Sequence, residues 1–218
     1  MSYSPVAPLQ VVRVPATGAP AGLMVVLHGW GSNPQDLAGL VPYLGLPQVE
    51  YQLPAGPFRH PHSANGRAWY DLSFGFGSSP QAQNGLLQSR QALLSWLEGL
   101  EASTGIPPER TVLAGFSQGG AMTLDVGLRF SKPLAGLICM SGYLVELPPA
   151  SQVSRSPILV THGRRDQVVP LQAAQATRDA LQKVGLKVQY QEFDMGHEVN
   201  PAALAEVGRF LSSQLSLQ

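Results

Sequence analysis

The chain has 218 residues, 14 basic and 14 acidic side chains and a formal net charge of zero, and charged residues make up 13% of it. That length suits one domain, 1–218, with a substantial core. The charge balance excludes a nucleic-acid surface, which needs a basic excess, and a polybasic membrane patch.

The opening MSYSPVAPLQ has no basic region followed by a long apolar stretch, so no secretory signal is expected. The run GLMVVLHGW falls far short of the roughly 20 residues that span a bilayer. No integral membrane segment and a cytoplasmic location follow as expectations. Strands are expected at 9–14, 23–28, 49–53, 111–116, 134–140, 158–163 and 187–193. Several are continuously apolar, as strands buried on both faces should be. Helical stretches lie between them. The first, 33–44, has Asn33 as N-cap, Pro34 at its first position and Asp36 in its first turn. Ser79-Pro80 starts a longer helix whose period is marked by Leu86, Arg90, Leu93, Leu97 and Leu100. Helices follow after Ser117, over 171–185 and at the end of the chain. Alternating strands and helices imply an α/β fold with a mostly parallel sheet covered on both faces. Ligands of such sheets bind beyond the carboxyl ends of the strands. The segment 54–80 is too long for an ordinary loop, so a functional role or disorder is expected there.

The sequence AGFSQGGA, 114–121, follows the strand-type run RTVLAGF and precedes a helical run in which Met122, Val126 and Phe130 recur. Ser117 therefore sits on a sharp strand-to-helix turn, where only very small residues fit two positions either side. This is the G-x-S-x-G elbow, which exposes a serine hydroxyl above a sheet. A serine needs a base to take its proton. His197, in FDMGHEVNP after the last strand, is placed to serve. The imidazole needs a carboxylate to hold its tautomer. Asp166, just past strand 158–163, is the best candidate, with Asp194 as its competitor. Asp71 and Asp125 lie before or just after the serine region. For the oxyanion, one donor is the backbone N–H of Gln118 and the other that of Trp30, in the glycine-flanked loop LHGWGSN. His28 is expected to brace this loop. Cys139 has apolar neighbours and reads as a buried structural residue. His28, His60, His62, His162 and His197 show no metal-binding spacing, so neither metal nor cofactor is expected.

Together, LHGWG, WYD, GFSQGGAM, HGRRDQVVP and DMGHE resemble, in order and spacing, the carboxylesterase/lysophospholipase family that includes the acyl-protein thioesterases. The resemblance covers nearly the whole chain. It implies an α/β-hydrolase fold without a large cap domain. It also implies ester or thioester hydrolysis by Ser117, His197 and Asp166. By position it carries Trp30, Leu72, Tyr143 and Val168 to an acyl groove. Two departures stand out: Ser32-Asn33 replaces an acidic residue after the H-G-x-G turn, and Tyr143 replaces a tryptophan. With Phe74 and Phe76 as further apolar contacts, the expected substrates are small-molecule esters of short to medium acyl chains. The alternatives are a thioesterase or lysophospholipase acting on long chains and, remotely, a catalytically silent binding protein of the same fold. A homodimer is an admissible state.

Overall fold

The computed structural model describes residues 8–72 and 79–217. Among these, seven strands form one sheet: β1 (Val11–Val14), β2 (Gly22–Leu27), β3 (Val49–Pro54), β6 (Thr111–Phe116), β7 (Gly136–Met140), β8 (Ile158–Gly163) and β9 (Val188–Phe193). Their spatial order is β1-β3-β2-β6-β7-β8-β9. Only β1 runs antiparallel, pairing Val11 with Pro54 on β3. The remaining pairs are parallel, so the carboxyl ends of β2, β6, β7, β8 and β9 gather at one edge.

The continuous apolar runs divide by parity. On β2, Leu23, Val25 and Leu27 face one side, and Met24 and Val26 the other. On β6 and β7, Leu113, Leu137 and Cys139 join the first set, while Val112, Ala114, Ile138 and Met140 join the second. The first face is covered by α2 (Pro80–Glu98), the short α3 (Leu100–Thr104), α4 (Gln118–Gly127) and α5 (Leu171–Lys183). The second is covered by α1 (Pro34–Ala38), the 3-10 turn Val41–Leu44 and α6 (Pro201–Gln214).

The expected helix over 33–44 is two pieces. Asn33 does cap it, accepting the Asp36 N–H, while the Asp36 carboxylate accepts the Asn33 N–H. The α-helix then stops at Ala38, and Pro42 within the next turn lacks the donor a continuing helix would need. The long segment 54–80 holds a small antiparallel ribbon, β4 (Phe58–Arg59) with β5 (Arg67–Ala68). No helix among the described residues is long and apolar enough to cross a membrane.

Candidate active site

Ser117 joins β6 to α4 with φ 55 and ψ −117, a left-handed conformation that side chains rarely adopt. Such a residue costs about 1–3 kcal/mol and persists only where its surroundings hold it. Here the Ser117 N–H donates to the Met140 carbonyl at 2.8 Å, and its carbonyl accepts the Ala121 N–H at 3.0 Å. The flanking glycines answer a steric demand. A Cβ on Gly115 would overlap the Gly119 carbonyl, and one on Gly119 would overlap the Leu27 carbonyl. The elbow is pressed against β2, so its backbone tolerates no side chain at either place.

His197 lies four residues past β9, and its Nε2 stands 2.9 Å from Ser117 Oγ. Its Nδ1 stands 2.7 Å from Asp166 Oδ2. The carboxylate side chain is fully buried. Asp166 Oδ1 also accepts the N–H groups of Val168 and Val169, both at 2.9 Å. One oxygen therefore anchors the carboxylate to its own turn, and the other faces the His197 imidazole, with His162 Nε2 more distant at 3.5 Å. The two loops are stitched together, because the Arg164 and Arg165 N–H groups donate to the carbonyls of Phe193 and Met195. Asp194 points elsewhere: its exposed carboxylate pairs with Arg165 at 3.0 Å. Asp125 is buried on α4, where Arg90 grips both its oxygens and Arg129 binds one of them. Arg129 reaches on to Glu146, tying α2, α4 and the loop after Tyr143 into one ionic cluster. Sequence spacing marked Arg90 only as part of a helical stripe; its partner lies 35 residues away and has no local signature.

Gln118 opens α4, so its backbone N–H has no acceptor within the helix. In the Trp30 loop, the Gly31 N–H is taken by the Arg67 carbonyl and the Ser32 N–H by the Gly29 carbonyl. Among the described residues no backbone acceptor engages the Trp30 N–H just before them. The Gln118 side chain has a task that sequence reasoning missed. Its Oε1 accepts the Trp69 N–H at 2.9 Å and its Nε2 donates to the Tyr70 carbonyl at 2.7 Å. The Trp69 indole N–H in turn donates to the His28 carbonyl at 2.9 Å. These bonds lock the start of the α4 helix, the WYD segment and the end of β2 together.

His28 braces this loop. Its Nδ1–H donates to the Gly29 carbonyl, and its Nε2 accepts the Gly56 N–H at 2.9 Å. Burial is the main cause that lowers its pKa to about 4 from 6.5, and the nearby Arg67 adds to it. The neutral ring is therefore part of the fold. Because the unfolded chain binds this proton and the native one does not, the contribution is whole above pH 6.5 and lost as pH falls toward 4. About 3 kcal/mol of stability should disappear across that window. Thermal unfolding of wild type and His28→Gln at pH 7 and pH 4.5 checks this; the drop in Tm between the two should be smaller in the variant.

Cys139 is fully buried, and burial pushes its thiol up to about 12. It is no nucleophile at neutral pH. No cluster of metal-ligating side chains occurs among the described residues.

The residues carried to an acyl groove are placed as follows. Tyr143 is half-buried, its hydroxyl 2.7 Å from that of Tyr70. It lines an apolar pocket of about 450 Å³ with Leu144, Val169, Pro170 and Ala173. Val168 is 54% exposed, and Val169 beside it is the residue at the pocket. Leu72 packs on the main core cluster. Trp30 stands edge-on to His60, with ring centres 4.2 Å apart. Phe74 and Phe76 lie outside the described residues.

A family model described as phospholipase/carboxylesterase matches residues 10–215. The chain belongs to that family of α/β-hydrolases. This family member is 34% identical to an acyl-protein thioesterase 1 of Neurospora crassa, over 93% of this chain and 90% of the relative. It is 28% identical to a probable carboxylesterase of Oryza sativa, over 94% of this chain and 84% of the relative. The crystal structure of esterase PE8 superposes with a TM-score of 0.86 at 30% identity, covering 95% of this chain and 99% of that one. The chain is thus a hydrolase of the carboxylesterase and acyl-protein thioesterase type.

Proposed function

We propose that the protein is a serine carboxylesterase that cleaves esters of short to medium acyl chains. The observation that carries this reading is the hydrogen-bonded line from Asp166 through His197 to Ser117, set at the carboxyl edge of the sheet. Ser117 Oγ attacks the ester carbonyl carbon while His197 Nε2 takes its proton. The carbonyl oxygen, now an anion, receives the Gln118 and Trp30 N–H groups. Asp166 holds the imidazole in place and stabilises its positive charge. His197 then gives the proton to the leaving alkoxide, and the acyl group remains on Ser117. Water, deprotonated by His197, attacks this acyl-enzyme and releases the acid and the free serine.

The pocket beside Tyr143 suits the acyl chain. It adjoins the Asp166 turn through Val169, and its walls are fixed. The Tyr143 hydroxyl is held by Tyr70, and the Leu144 N–H donates to Thr177 Oγ1 on α5 at 2.8 Å. A finite pocket rewards each methylene it buries by about 0.8 kcal/mol, then stops. In a series of esters of one alcohol, kcat/KM should climb with acyl length, peak at short to medium chains and fall. The thioesterase reading is favoured by the similarity to the Neurospora acyl-protein thioesterase 1. A steady rise of kcat/KM out to palmitoyl esters or thioesters would put that reading first.

A further inference from the structure

A second apolar pocket, of about 240 Å³, lies on the opposite face of the sheet from α4. Its walls are Phe116 and Met140 from the sheet, Leu37 and Val41 from the α1 region, Leu204 from α6, and His197. Protein interiors seldom leave a void much larger than a water molecule. Here apolar side chains surround one that is several times that size, and they do not close it. Leu37 and Leu204 remain only half-buried, and Leu40 beside them is 46% exposed. His197 both lines this pocket and belongs to the reaction site. Its ring centre lies 4.9 Å from that of Phe116, and its Nε2 meets Ser117 Oγ.

We infer that this pocket receives the alcohol portion of the ester, as an apolar leaving-group subsite. The inference rests on the esterase reading above, and the geometry of the tetrahedral carbon directs it. Ser117 Oγ takes one position on that carbon, and the oxyanion facing Gln118 and Trp30 takes another. The acyl chain, in the Tyr143 pocket, takes the third. The fourth is the leaving oxygen, which must reach His197 Nε2 to receive its proton. Whatever that oxygen carries emerges on the His197 side, where the second pocket lies. The subsite selects primary or branched alkyl alcohols, and among the described residues its lining holds no Lys or Arg to bind an anionic headgroup. Glu198 at its edge repels an anionic one.

The test uses the full chain and butyrate esters of methanol, propanol, butanol and hexanol. Alkyl alcohols differ little as leaving groups, so kcat/KM reports binding in the acylation step. It should rise about fourfold for each methylene the pocket buries. Leu204→Trp and Leu37→Trp fill the pocket from two different elements. Each should lower the hexyl-to-methyl ratio by at least tenfold while keeping the ratio between butyrate and acetate methyl esters. Rates are counted per serine titrated by a fluorophosphonate, so loss of folded protein does not enter. A wild-type kcat/KM that is flat across the alcohols overturns the inference and leaves the esterase reading standing. So does a pair of variants that shift the acyl-length ratio instead, which would assign the pocket to the acyl chain. Failure to turn over any of the esters, with Ser117 unlabelled, overturns the esterase reading and this inference together.

Discussion

Replacing Ser117 with alanine should lower kcat by on the order of 10⁶. The elbow explains why the loss is near total and why the fold should survive it. Ser117 Oγ is hydrogen-bonded to His197, so removing it orphans no structural group. The strained backbone is held by the Met140 carbonyl and the Ala121 N–H, which alanine keeps. Under the proposed mechanism the variant keeps the Gln118 and Trp30 N–H groups and both pockets, and so should still bind an ester without forming the acyl-enzyme. KM should change little beside kcat. The measurement is steady-state kinetics with a short-chain ester, with circular dichroism as the check on the fold. A variant that keeps a tenth of the wild-type kcat would show that another group attacks the carbonyl.

Asp166→Asn should cost about 10⁴ in kcat. An amide at this place can present its NH₂ to His197 Nδ1. That would leave Nδ1 without its proton and put the proton on Nε2, where it cannot accept one from Ser117. Asp166 Oδ1 bonds to Val168 and Val169 can be kept by the amide oxygen, so the turn should persist. Asp194→Asn should cost less than threefold, because its exposed carboxylate pairs with Arg165, away from His197. Parallel kcat measurements on the two variants discriminate the acids. A reversed order would move the acid role to Asp194.

The chain shows which parts of a structure its sequence states openly. The buried strands were legible because parity and apolar runs report burial on both faces. Expected and observed strand bounds agree within two residues at every end, and coincide for 111–116 and 158–163. The elbow was legible because steric crowding at Gly115 and Gly119 leaves glycine as the residue that fits. Asp166 and His197 were legible as candidates because each follows a strand by a few residues, at the edge where such sheets place their chemistry. Asp194 could not be set aside on the same ground, since it too follows a strand. That decision needs the direction of its side chain, which Arg165 sets. The long-range bonds were hidden for a similar reason. Gln118 meets Trp69 and Tyr70 across nearly fifty positions, and Asp125 meets Arg90 across a whole helix and strand. Nothing periodic encodes such pairings. The two pockets are spaces between elements, and their sizes depend on how α1, α5 and α6 settle on the sheet.

All of the proposed chemistry depends on Ser117 as the nucleophile, activated by His197. Intact-protein mass spectrometry after treatment with a fluorophosphonate tests it most directly. A single adduct per chain is expected, mapped to Ser117, absent in Ser117→Ala and slowed by orders of magnitude in Asp166→Asn. An unlabelled wild type, or an adduct on any other residue, would contradict it.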